Sequence, residues 1–87
     1  MKFYDIIFTQ RYSHIPPVIF TIKAENMDEA WEKAQESKML YWFIHEGDPG
    51  VPTKKELSDS KDEQFFADLV KDWIEANVEV KVELLDD

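Results

Sequence analysis

The side chains that could carry chemistry are few in kind and very unequal in number. There is no cysteine, which excludes thiolate nucleophiles, disulfides and thiolate metal sites. The two histidines, His14 and His45, fall in different loops, and no serine sits in a glycine-flanked elbow. A nucleophilic centre needs a hydroxyl with a base in reach, and no local signature supplies that pair. His45, Glu46 and Asp48 are the one compact set with metal-ligand chemistry. They read as polar residues of a solvated loop, and residues 45–56 do not carry the alternating oxygen ligands of an EF-hand. With Gly47 and Gly50 as the only glycines, no glycine-rich phosphate loop can be built. Carboxylates are the one abundant group, and paired carboxylates can do acid–base work. No pair is singled out by its spacing. The expectation is a protein with no catalytic, cofactor or metal site, and so not an enzyme.

What the carboxylates do instead is set the charge. The 87 residues hold 19 acidic and 10 basic side chains, a formal net charge of −9. Residues 1–24 carry Lys2, Arg11 and Lys23 against Asp5, a balance of +2. The remaining residues carry the other 7 basic groups against 18 acidic ones, a balance of −11. Phosphate backbones are bound by Lys and Arg, so direct contact with nucleic acid is not expected. The same field attracts a basic surface on another protein. The longest apolar run, Met39 to Ile44, is far short of a membrane span. The start of the chain lacks a positive region followed by a long apolar stretch, so it does not read as a signal peptide. A cytoplasmic protein without membrane contact is the expectation.

The elements that hold these charges follow from periodicity. Residues 3–12 alternate, with Tyr4, Ile6, Phe8 and Tyr12 on one side and Phe3, Asp5, Ile7, Thr9 and Arg11 on the other, which predicts a strand. Ser13 to Pro17 breaks the pattern. Residues 18–25 alternate again, with Val18, Phe20, Ile22 and Ala24 opposite Ile19, Thr21, Lys23 and Glu25, which predicts an antiparallel hairpin. Asn26 with Glu29 forms a capping pattern, and Met27, Ala30, Trp31 and Ala34 follow at helical spacing. Lys38 falls on that apolar stripe, so the helix either ends near it or lets it snorkel. The aromatic content of residues 39–44 favours a strand, with a helical continuation and a three-stranded sheet as the alternative. Residues 45–52 are turn-rich, and Thr53 with Glu56 caps a short helical turn. Ser60 and Glu63 read as a second capping box. The helix behind it has Phe66, Leu69, Val70 and Trp73 as its stripe and Asn77 near its end. Val78, Val80, Val82 and Leu84 alternate with Glu79, Lys81 and Glu83 in a last strand, before an acidic tail at Asp86 and Asp87.

The order β-β-α-β-α-β predicts one α+β domain over residues 1–87. It has two layers, with two helices packed on one face of a mostly antiparallel three- or four-stranded sheet. Trp31 and Trp73 sit at the centres of their helical stripes and are expected in the core. Tyr41, Trp42 and Phe43 are read as core rather than as base-stacking residues. Phe3, Ile7 and Ile19 share the sheet side away from the helices and should form an exposed apolar patch, a place for a partner or for a homodimer. The acidic side chains opposite the stripes are Glu29, Glu32 and Glu36 on the first helix and Asp68, Asp72 and Glu75 on the second. Like charges at i,i+4 cost a few tenths of a kcal/mol each. A sequence that accepts them is either keeping itself soluble or presenting a field to a partner, and these six are the candidate partner-binding residues.

The segment Phe20-Thr21-Ile22-Lys23-Ala24-Glu25-Asn26-Met27-Asp28-Glu29-Ala30-Trp31-Glu32-Lys33-Ala34 resembles one found in small acidic phage and mobile-element proteins of the anti-CRISPR and anti-defence type. There an alternating strand ends in Ala-Glu and runs into a helix carrying Glu-Ala and a later Ala. The resemblance spans about 15 residues and transfers no functional residue. It implies a non-enzymatic inhibitor, a partial nucleic-acid mimic, that docks on a basic protein surface of a nucleic-acid-processing complex and blocks access. The alternative is a structural or adaptor module, homodimeric, whose acidity serves solubility.

Overall fold

A computed structural model describes residues 1–11 and 15–85 of the chain. The positions of Tyr12, Ser13 and His14, and of Asp86 and Asp87, lie outside the described residues. The elements in chain order are β1 (Lys2–Gln10), β2 (Val18–Ala24), α1 (Met27–His45), α2 (Lys54–Leu57), α3 (Glu63–Asn77) and β3 (Val78–Leu84). The strands form one antiparallel sheet in the order β2-β1-β3. The fold is α+β, with three strands.

Register follows the alternation of the strands. Tyr4 stands between Ile22 and Leu84, Ile6 between Phe20 and Val82, and Phe8 between Val18 and Val80. These rows face the helices, and Tyr4, Ile6 and Phe8 on the central strand are buried. The opposite side carries Phe3, Asp5, Ile7 and Thr9 beside Ile19, Thr21 and Lys23. Phe3 and Ile19 are exposed there, whereas Ile7 between the two edge strands is half-buried, so the predicted patch is exposed at two of its three residues. Lys23 Nζ lies 5.2 Å from the centre of the Phe3 ring, and Thr21 Oγ1 donates to Asp5 Oδ1 at 2.7 Å.

The strand expected at 39–44 is instead the second half of α1. Asn26 caps this helix by accepting from the Glu29 N–H at 2.9 Å, and no glycine or proline interrupts the chain before Gly47. Extending an existing helix adds one hydrogen bond per residue without a new nucleation cost. The phase set by Ala30 and Ala34 carries straight on to Tyr41 and Trp42, all buried. A run that is apolar at every position hides that phase. The helix leaves Leu40, Phe43 and Ile44 exposed, which a strand covered on both faces would not do.

Gly47 and Gly50, at φ 81° and 86°, then reverse the chain through two turns, closed by Asp48 N–H to the His45 carbonyl and Val51 N–H to the Asp48 carbonyl. This drops Val51 into the core and sets the Pro52 carbonyl under Trp42 Nε1 at 3.0 Å. Thr53 caps α2 as expected, accepting from the Glu56 N–H at 3.3 Å. The cap of α3 is Asp62, not Ser60: its carboxylate accepts from the Gln64 and Phe65 N–H groups, while Ser60 Oγ accepts from the Asp62 N–H. The charged cap also sits better against the helix dipole. Asn77 ends α3 with its side-chain amide donating to the Trp73 carbonyl at 2.9 Å, without left-handed backbone.

α1 lies across the sheet, and α3 packs beside its second half, with Trp42 against Phe66 at 5.1 Å. Phe66, Val70 and Ile74 are the buried face of α3, so Ile74 is core, and Trp73 is partly buried against it. Trp31 is not core: it is 42% exposed and belongs to neither core cluster. It shares one helical stripe with Lys38 and Trp42, the stripe that faces α3. Lys38 already meets Glu75, and α3 ends at Asn77. Trp31 lies seven residues before Lys38, about 10 Å back along the axis, where α3 no longer runs.

Candidate functional site

The outward face of the helical layer carries the acidic residues. Glu32 and Glu36 on α1 and Asp68 and Asp72 on α3 are exposed, and no basic side chain pairs with them among the described residues. Among the described residues Asp68 accepts only from the Gln64 side-chain amide, at 3.0 Å. The other two sequence candidates are already engaged. Glu29 pairs with Lys33 one turn on, at 3.4 Å. Glu75 is 3.5 Å from Lys38 Nζ, and Lys38, only 4% exposed, also donates to Gln35 Oε1 at 3.1 Å. Among the described residues the six therefore divide into four carboxylates without a basic partner and two that pair with lysines of the same helical layer, the partly exposed Lys33 and the buried Lys38.

Apolar side chains stand among those four carboxylates. Phe43 follows Glu36 by seven residues and Phe65 precedes Asp72 by seven, so each pair shares a helical stripe. Phe43 is 63% exposed and Phe65 49%. Between the helices Met39, Phe43, Lys54, Glu63, Phe66 and Ala67 line a shallow recess of about 340 Å³. The sequence offered no sign that Phe43 would be exposed, because a strand at 39–44 hid it. A larger recess, about 450 Å³, is lined by Lys54, Lys55 and Lys61 with Ser58, Ser60, Asp59 and Glu63. Its two acids offset much of the lysine charge.

The groups with metal or acid–base chemistry do not converge. His45 Nδ1 meets Asp48 Oδ2 at 2.9 Å, whereas Glu46 Oε2 accepts from the Lys54 N–H at 3.1 Å. No group of three metal-ligand side chains gathers among the described residues. Among the described residues no helix is long and apolar enough to cross a membrane.

Beside His45, the Tyr41 ring stacks on Phe8 at 5.1 Å and tilts against the His45 ring at 4.8 Å. Burial raises the Tyr41 hydroxyl above the ordinary value of 10.0; the neighbouring Gln10 side chain opposes this and the Asp48 charge adds to it. The folded chain thus holds the phenol proton more tightly than the unfolded one. Its contribution to stability is complete below pH 10.0 and is lost as pH rises from there through the higher folded value. Tyr41→Phe should flatten that alkaline loss, read as urea midpoints between about pH 9 and about pH 11. Parallel pH profiles for parent and variant would show that Tyr41 has no part in it.

The chain's relation to known proteins adds no further constraint: no family model, no curated protein and no solved structure matches it.

Proposed function

We propose that this chain is a protein-binding module rather than a catalyst, and that its acidic helix face engages a basic surface on a partner. The observation that carries this is the set of four exposed carboxylates, Glu32, Glu36, Asp68 and Asp72, on two adjoining helices, with no basic partner among the described residues. The like-charge i,i+4 pairs Glu32/Glu36 and Asp68/Asp72 repel one another in the free protein, and lysines or arginines of a partner would relieve that repulsion. Exposed Phe43 and Phe65 among them favour a protein partner, since large aromatics anchor protein interfaces while acidic rims steer association. A groove that normally holds nucleic acid has the matching basic charge. An inhibitor that occupies such a groove, of the anti-defence kind, is the specific form of this reading.

The test uses a fourfold reversal, Glu32→Lys, Glu36→Lys, Asp68→Lys and Asp72→Lys, which leaves Glu29 and Glu75 on their lysine partners. A partner captured from the native host by the parent, and identified by mass spectrometry, is then bound to both proteins over a range of salt. The association rate of the variant should fall by about tenfold or more at low salt, with circular dichroism unchanged. Equal rates for the two folded proteins, or capture indifferent to salt, would rule out the acidic face as the binding surface.

A further inference from the structure

The sheet ends on two edges, β2 and β3. An edge strand offers free N–H and C=O groups to another chain and is normally blunted by charge, proline or cover. Glu79, Lys81 and Glu83 blunt β3. The other edge is covered at one carbonyl, that of Lys23, by the Lys33 ammonium, and is otherwise open: β2 reads Val-Ile-Phe-Thr-Ile-Lys-Ala, with one charge and no proline. Leu85 N–H donates to the Phe3 carbonyl and Arg11 N–H to the Asn77 carbonyl, so the odd-numbered residues of β1 turn to β3 and the even-numbered ones to β2. Their partners Val18, Phe20 and Ile22 turn back to β1, and the Lys23 carbonyl, which accepts from Lys33 Nζ, points away from it. Backbone groups alternate sides along a strand, so those of Ile19 and Thr21 point outward with it.

We propose that β2 pairs antiparallel with β2 of a second copy of this chain, in a register centred on Thr21, doubling the sheet into one continuous sheet. In that register Thr21 faces Thr21, Ile19 faces Lys23, and Phe20 faces Ile22 on the helix side. Every outward-pointing backbone group then meets its counterpart, the Lys23 carbonyl accepting the Ile19 N–H of the second copy on its other lone pair, beside the Lys33 ammonium. Cross-strand Thr–Thr pairs are favourable, and no like charges lie opposite each other. The same operation on β3 over its full length sets Glu79 against Glu83 and Lys81 against Lys81. β3 escapes this only by slipping two residues and giving up its end pairs. Self-pairing thus selects β2 on charge.

A second layer continues the same edge. Lys33, Leu40 and Ile44 share one stripe of α1, and the bond from Lys33 to β2 places that stripe on the β2 side. Leu40 and Ile44 are each more than half exposed, as is Ile19. α1 packs on all three strands, and on β2 most. In the doubled sheet Leu40 and Ile44 of the two copies lie on the sides of α1 turned toward the junction.

The test is the mass of the full chain by sedimentation equilibrium from about 5 µM to about 500 µM. The expected result is a dimer of twice the 10.3 kDa chain. Ile19→Lys puts like charges opposite at two symmetric places and should weaken dimerisation about tenfold or more. Ile19→Glu sets an acid against Lys23 and should leave the dimer in place, and Ile19→Lys with Lys23→Glu should restore it. Circular dichroism checks that each variant folds. Should Ile19→Lys not fold, Thr21→Pro replaces it; its lost N–H faces outward, so β1–β2 pairing survives and the protein should be monomeric. A monomeric parent, masses that grow beyond a dimer, or a dimer weakened equally by Ile19→Lys and Ile19→Glu would each overturn the proposal.

Discussion

Trp42→Ala should remove about 3–5 kcal/mol of stability. A chain of this length has a total of only about 4–13 kcal/mol, so the variant should be close to unfolded at room temperature. Trp42 is 1% exposed, packs edge-on against Phe66, and anchors the Pro52 carbonyl through its indole N–H. Its loss leaves a cavity where α1, α3 and the 45–52 loop meet, and orphans a carbonyl as well. Trp31→Ala is the control. That side chain is nearly half exposed and outside both core clusters, and alanine is the better helix former. Its cost should be about 1 kcal/mol or less. Urea titrations followed by circular dichroism compare the two. Equal losses would mean that Trp31 packs as tightly as Trp42.

Glu75→Lys should cost about 1–3 kcal/mol, far more than Asp72→Lys one turn away, which should change stability by less than about 0.5 kcal/mol. The asymmetry originates in Lys38. Its ammonium lies in a buried side chain and depends on Gln35 and Glu75 for its hydrogen bonds, whereas the Glu75 side chain is 68% exposed. Solvent screens the attraction between the two charges, so the ion pair adds little beyond relieving the desolvation of Lys38. Lys38→Met should accordingly be neutral or stabilising, by up to about 1 kcal/mol. The measurement is the urea midpoint of each variant. If Glu75→Lys proves as harmless as Asp72→Lys, Lys38 does not depend on Glu75, and Glu75 rejoins the carboxylates free to meet a partner. The expected result instead means that binding defects of a variant containing Glu75→Lys would mix folding with recognition.

Local rules carried the sequence a long way. Period-two alternation places β1, β2 and β3 and assigns Tyr4, Ile6 and Phe8 to the helix side, because each strand has one covered face and the pleat leaves no other choice. Asn26 and Thr53 fix two helix starts, because a capping side chain acts on N–H groups within three residues of itself. Net charge and the missing cysteines are properties of composition alone. What the sequence could not decide depends on which element lies opposite which. Residues 39–44 are apolar at every position, so no period distinguishes strand from helix; the continuous phase from Ala34 to Tyr41 and the partner surface on Phe8 and Phe66 select the helix. Trp31 and Trp42 occupy the same stripe of one helix, and only the end of α3 at Asn77 makes one exposed and the other core. Likewise Glu75 and Asp72 are alike in sequence, and only the approach of Lys38 from α1 sets them apart. Burial and pairing arise from contacts between residues distant in the chain, and those contacts, not local propensity, determine which carboxylates stay unpaired and which aromatics stay exposed.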